Sequence, residues 1–417
     1  MTTQGNLLSS VKRSLEQYRA YRVARDIKHR IHGLLNDDPT TKVVSLRPGG
    51  PANGHVLLSH LIEPFLLKQG APVPSSHTVH WEVLQVANTF LGFGYGVDVI
   101  SFRNRTFIPK RPYSHFIDTR FNFERLAGLL NEDCVKILYG EIPDISFYNA
   151  AESRRLLGVQ QRKGVTLQAR RWQTPSRAAE LADYIMLHGN DFTVDTFRNI
   201  NKPIYRLPTS VVSMHPWSDE KDFEACRKRF LWFGSGGLVL KGLDLVLDAF
   251  ADMPDYHLTI CGPVERERDF EQAYGKLLYE TPNIQTVGWV DTAGDKFREI
   301  TRSCVGLVFP SGAEGQAGSV VACLHAGLIP IVSYESGVDV HDFGTILKTS
   351  SIDEIQTAVR LIGSLPGQQL EAKARMAWEY ACTRHTRERY AEELRTIIAT
   401  ILAAHGKEES RGGIREL

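Results

Sequence analysis

Apolar residues at the start of the chain recur at helical spacing, as Leu8, Val11, Leu15, Tyr18, Ile27, Ile31 and Leu34, with Lys12, Arg13, Arg19, Arg22, Arg25, Lys28 and Arg30 between them. This pattern predicts one or two basic amphipathic helices, stopped by Asp37, Asp38 and Pro39. Such a helix either packs on the protein body with solvated arginines, or lies on an anionic membrane surface or a partner. Beyond Pro39 the pattern changes to short β-rich apolar runs alternating with helical ones. The runs "HVLLSHLIEP", "VDVISF", "VKILYG", "DYIMLHG" and "PIYRLP" read as strands, with helices near Glu82–Leu91, Glu124–Leu130 and Tyr148–Leu157. After the loop that follows Pro208 the alternation starts afresh with "RFLWFG", "HLTICG", "IQTVGWV", "VGLVFP" and "IPIVS". Helices are predicted over Leu243–Phe250, Asp295–Cys304 and Gly318–Ala326, and one more is opened by the capping box Ser351 and Glu354.

Strands separated by helices imply parallel sheets covered on both faces. The expected fold is therefore α/β: two Rossmann-like, doubly wound parallel-sheet domains facing across a cleft, preceded by the basic helix. Expected boundaries are 1–40 for the basic extension, 41–215 for the first Rossmann-like domain and 216–380 for the second. Helices in 381–417 are expected to pack back on the first domain. In open parallel sheets ligands sit beyond the carboxyl ends of the strands, which places a site in the cleft.

Composition narrows the function. In 417 residues, 49 Lys plus Arg face 48 Asp plus Glu, so no global field points to a nucleic-acid partner. The six cysteines show no CxxC pair and no metal-ligand spacing, and read as reduced core residues. No signal-peptide pattern and no apolar run long enough to span a bilayer is evident, so a cytoplasmic protein is expected, peripheral on the inner membrane face if the basic helix meets lipid.

Two strand-to-helix turns in the second half carry the candidate chemistry. In "FGSGGLVLKGLDLVLDAF" the residues Gly234, Ser235, Gly236 and Gly237 leave the backbone open, and Lys241 stands where a helix should begin. In "VFPSGAEGQAGSVVACLHAGLIPIVS" the carboxylate of Glu314 sits among Gly315, Gln316, Ala317, Gly318 and Ser319, again at a helix start. Missing side chains let phosphate reach backbone N–H groups, and a helix N-terminus adds partial positive charge. A carboxylate beside an anion site is disfavoured unless it has hydroxyls of its own to hold. A nucleotide sugar supplies both, with its diphosphate for Lys241 and the amides and its sugar hydroxyls for Glu314. The turn is not the GxxxxGK[ST] phosphate loop, which argues against an ATPase.

Over Arg229–Thr349 these turns, with "LTICGP", "IQTVGWV" and "IVSYESGVD", resemble the donor-binding half of the retaining glycosyltransferases of family 4, which have the two-domain GT-B fold. In the first half the phrase "VANTFLGFGYGVDVISF" resembles their first βαβ unit. The resemblance implies that Lys241 holds the donor diphosphate, that Glu314 binds the transferred sugar and that Gly315–Ser319 cradle oxygens. Gly262 and Pro263 with Trp289 and Val290 would border the nucleoside. It also implies metal-independent transfer of a hexose from a nucleotide-diphosphate sugar, as co-substrate rather than cofactor, to a glycan, lipid-linked or other hydroxyl acceptor with retention of configuration. Two departures stand out. The loop after the first strand of this half lacks the family's arginine, and Ala322 replaces its second glutamate. No histidine ends "VKILYG", so His77, His80 and His188 are the candidates for a first-domain catalytic group, and Glu335 is a candidate for ribose. The alternatives are a non-catalytic subunit of the same fold and a nucleotide-sugar epimerase.

Overall fold

The computed structural model describes residues 38–412 apart from 69, 75 and 76, so the basic amphipathic pattern of the first 36 residues lies outside the described residues. Two sheets organise the rest. The first comprises β1 (Val43–Leu46), β2 (His55–His60), β3 (Gly96–Ser101), β4 (His115–Asp118), β5 (Val135–Gly140), β6 (Tyr184–His188) and β7 (Ile204–Leu207), in the order β1-β3-β2-β4-β5-β6-β7. All neighbours are parallel except β1, which pairs with β3 antiparallel from Val43 opposite Ile100. The second sheet holds β8 (Arg229–Phe233), β9 (His257–Cys261), β10 (Ile284–Gly288), β11 (Gly306–Phe309), β12 (Ile329–Ser333) and β13 (Thr345–Leu347), all parallel, in the order β10-β9-β8-β11-β12-β13.

The central strands are buried on both faces, which is why they read as unbroken apolar runs. In β2, Val56 and Leu58 enter one core cluster and Leu57 the other. The chain leaves the second domain along the helix Gly367–Arg384 and returns to the first as the helix Arg387–Gly412. Tyr390, Leu394, Ile397, Ile398 and Ile401 of that last helix share a core with Val56, Leu58 and Phe90. The two domains are thus tied twice, by the linker after β7 and by this returning helix.

Helix boundaries follow their caps. Asp144 accepts from the amides of Ser146 at 2.9 Å and Phe147 at 3.4 Å to open the helix Ile145–Lys163, and Gly164, at φ 69°, closes it. Ser351 caps the helix Ile352–Gly363 through Glu354 N at 3.2 Å. The Glu354 carboxylate reaches back to the amides of Lys348, Thr349 and Ser350. β1, β4, β13 and the helix Arg268–Tyr279 are absent from the sequence-based prediction. The three strands are only three or four residues long, and β1 alternates exposed and half-buried positions at the sheet edge.

Candidate functional site

Both glycine-bearing turns lie at the carboxyl ends of neighbouring central strands, β8 and β11, and face the first domain. Lys241 is not inside a helix: the helix begins at Leu243, after Gly242 turns the chain at φ 74°. A Cβ at Gly242 would lie 2.5 Å from Pro310 O, so the two turns are packed backbone on backbone. Lys241 Nζ crosses to Glu314 Oε1, which also accepts from Ser311 Oγ at 3.1 Å. Only 6 % of the Lys241 side chain and 13 % of the Glu314 side chain are exposed. Burial lowers the Lys241 pKa, and Glu314 opposes that shift. A buried ion pair of this kind is weak evidence for stability, because desolvation consumes much of the Coulombic gain. It does place two opposite charges that a ligand can separate.

Around Glu314 the backbone is partly committed. Glu314 N donates to Glu335 O at 2.9 Å and Ala317 N to Ser336 O at 2.9 Å. The helix Gly318–His325 opens with no side-chain cap, and nothing lies within 4 Å of the Cβ position of Gly318. Gly318 is exposed, so the start of this helix, with the positive end of its dipole, lies at the surface. Gln316 points elsewhere: Oε1 accepts from Thr209 N at 2.7 Å, in the linker between the domains.

The other predicted donor residues divide. Gly234 and Gly262 are packing glycines, since a Cβ at either would meet the Trp232 ring at 2.8 Å, and one at Gly262 would also meet Gly234 O at 2.7 Å. Ser235 is exposed beside them. Gly237, at φ 89°, and Leu238 give their amides to the buried carboxylate of Glu267. That loop therefore binds an anion already, supplied by the chain itself. Pro263 and Val290 are buried, whereas Trp289 is 59 % exposed. Glu335 sits in the turn Tyr334–Ser336, half-buried, with its pKa raised by burial.

From the first domain, the ends of β5 and β6 press on Gly315. A Cβ there would lie 2.1 Å from Glu141 O and 3.2 Å from His188 O. Thr193 Oγ1 donates to Gly315 O at 3.3 Å, Asn190 Nδ2 to Tyr334 O at 2.9 Å, and Arg206 pairs with Asp339 at 2.7 Å. His188 is buried, its Nε2 is 2.8 Å from Tyr139 Oη, and burial pushes its pKa down to about 4, so it is neutral at pH 7. Tyr139 Oη continues the chain to Tyr390 Oη at 2.8 Å. His60, at the end of β2, packs edge-on to Tyr139; its Nδ1 accepts from Leu61 N at 2.7 Å, which leaves the proton of the neutral ring on Nε2. His77 is exposed at the mouth; desolvation by the walls lowers its pKa, with Glu82 opposing and Lys241 and Arg171 among its charged neighbours. His80 lies on the first turn of the helix Val79–Gly92.

Sequence reasoning missed His60, Glu141 and Arg171. The first two were legible as strand-end residues of β2 and β5, and Arg171 was not, because it arrives on a loop far from the glycine turn.

No protein-family model and no curated protein matches the sequence. Solved structures do match its shape. Sucrose-phosphate synthase from Thermosynechococcus elongatus superposes with a TM-score of 0.59 at 14 % identity, over 84 % of this chain and 99 % of that one. Anabaena HepE, in complex with UDP and glucose, gives 0.54 at 12 % identity over 84 % and 99 %. The fold is GT-B. WaaG, a glycosyltransferase of lipopolysaccharide biosynthesis, gives 0.50 at 16 % identity over 82 % of this chain and 99 % of that one. The chain spans about half, 55 %, of the length of Staphylococcus aureus TarM. At these identities the likeness is one of GT-B architecture.

Proposed function

We propose that this GT-B protein transfers a sugar from a nucleotide-diphosphate sugar to an acceptor hydroxyl, with retention of anomeric configuration. The buried Lys241–Glu314 pair carries the reading. Arrival of a diphosphate gives Lys241 a stronger anionic partner and frees Glu314 to accept hydrogen bonds from sugar hydroxyls. Charge builds on the diphosphate as the glycosidic bond breaks, and Lys241 with the uncapped amides of Gly318–His325 faces that charge. The acceptor enters from the side of Glu141 and His188, where glycan or lipid-linked hydroxyls are the class expected. In this reading no metal balances the leaving group, so a chelator leaves the rate unchanged.

That HepE holds UDP and glucose in the same architecture supports the choice of ligand class. A thermal-shift panel of nucleotide sugars tests it, since only a ligand that prefers the folded state raises the melting temperature. Consumption of the best donor is then followed with and without candidate acceptors, and the anomeric configuration of the product is read by NMR. A panel with no shift removes the reading. The basic pattern over the first 36 residues adds a membrane-surface role: removing residues 1–36 lowers binding to anionic vesicles, in a way that salt screens.

One observation favours a non-catalytic subunit as the second reading. Ala322 is only 6 % exposed and belongs to the domain core, so no second acid stands behind Glu314 on that helix. Donor binding without turnover toward any acceptor or water selects this alternative.

A further inference from the structure

The run Gly234–Gly237 after β8 contains no cation of its own, yet one is delivered to it from across the cleft. Arg171 lies on the loop that follows the helix Ile145–Lys163, in the first domain, and its side chain runs over Gly237. A Cβ on Gly237 would be 2.4 Å from Arg171 Cγ and 2.7 Å from Cδ, so this position must be glycine for the arginine to pass. The loop is held on both sides. Arg171 N donates to the buried Glu152 Oε1 at 2.6 Å, Gln173 Nε2 to Arg171 O at 2.7 Å, and Gln168 N to Asp269 Oδ2 of the second domain at 2.7 Å.

The guanidinium itself is aimed but not spent. Nε donates to Tyr148 Oη at 3.0 Å, while the two terminal nitrogens donate to no group among the described residues. Lys241 pairs with Glu314, and Arg171, from the opposite wall, feels the charge of the same carboxylate, so one anion serves two cations. Of the other nearby acids, Glu267 takes the amides of Gly237 and Leu238 and Glu152 Oε1 takes those of Arg170 and Arg171, while Glu152 Oε2 is buried without a hydrogen-bond partner among the described residues. A planar fork opposite a lysine point charge suits a ligand with several anionic oxygens on adjacent centres.

Resting on the functional reading above, we propose that Arg171 binds the diphosphate of the donor together with Lys241, so that the first domain contributes to the donor site. The consequence is that donor affinity depends on a closed cleft, since Arg171 reaches Gly237 only when the domains are together.

The test is isothermal titration of the full chain with UDP, GDP and ADP, each beside its nucleoside. Arg171→Ala should lose about 10- to 100-fold in affinity for whichever diphosphate the wild type prefers, the loss of one charge-assisted fork, with nucleoside affinity changed by less than about threefold. Arg171→Lys keeps the charge without the fork and should fall between the two. Circular dichroism and melting temperature establish that each variant is folded; should Arg171→Ala fail there, Arg171→Lys carries the comparison. If the wild type binds no nucleoside diphosphate, the functional reading falls and this inference with it. If it binds one and the folded Arg171 variants bind it equally well, the inference alone is overturned.

Discussion

At the residue scale the proposed chemistry rests on Glu314 and Lys241, and each supports a separate expectation. Glu314→Gln keeps the shape of a largely buried side chain, and gives up charge-assisted hydrogen bonds worth roughly 1.5 to 3 kcal/mol. It should fold normally and lose most transfer activity; near-normal turnover would remove Glu314 from the site. The same substitution leaves Lys241 buried without its counter-ion, so a somewhat lower melting temperature is expected in the ligand-free protein, recovered when a nucleoside diphosphate is added. Lys241→Ala should weaken diphosphate binding far more than nucleoside binding, and calorimetry with both ligands decides it. Equal losses would mean that the lysine serves only the packing of the two turns.

At the scale of elements, what was legible in the sequence was the strand-turn-helix unit. Long buried strands such as β2, β5 and β8 announce themselves as unbroken apolar runs, and their carboxyl ends therefore located both glycine turns, Lys241 and Glu314. Short or edge strands do not: β1 is half-exposed and β13 has three residues, too little for any periodicity. Glycine is also ambiguous. Gly234 and Gly262 look like ligand-facing residues in the sequence and turn out to make room for the Trp232 ring. Gly237, at φ 89° in its turn, has a further role that only the fold reveals, because its need for a bare Cα comes from Arg171, which is remote in sequence. Gly237→Ala should therefore cost at least about 1 kcal/mol in stability from the backbone alone. Denaturant titration reads that loss, and a variant as stable as wild type would mean that the turn relaxes without effort.

At the scale of the whole molecule, burial of neutral histidines makes stability depend on pH. His115, His188, His325 and His385 all have pKa values pushed down by burial, from 6.5 to about 4. The unfolded chain then binds more protons than the folded one between those values, so stability falls as pH drops from about 6.5 toward 4. One unit below 6.5 each group costs roughly 1 kcal/mol. His60, His77 and His215, also lowered by burial, act in the same sense, whereas Asp118, raised to about 6, and Glu82, Glu152, Asp244, Glu267 and Glu335, raised by burial, act in the opposite one. Between about pH 7 and pH 6, above the Asp118 window, denaturation midpoints should decrease, and a flat profile there would mean that the buried carboxyls offset the histidines. The closed cleft gives the last expectation. Gly315 has a backbone conformation that any residue adopts, so alanine there meets no torsional penalty. Its Cβ, however, would lie 2.1 Å from Glu141 O, a backbone atom that cannot step aside alone. The domains must part, breaking the contacts of Thr193 with Gly315, Asn190 with Tyr334 and Arg206 with Asp339. Each domain keeps its own core, so Gly315→Ala should remain folded while its radius of gyration rises and its hydrogen exchange quickens in the linker around Thr209 and Ser210. Donor affinity should drop with it, because Arg171 and Lys241 then stand on separated walls. Unchanged scattering and exchange would show that the cleft absorbs the methyl group locally, and that closure is not what brings the two cations together.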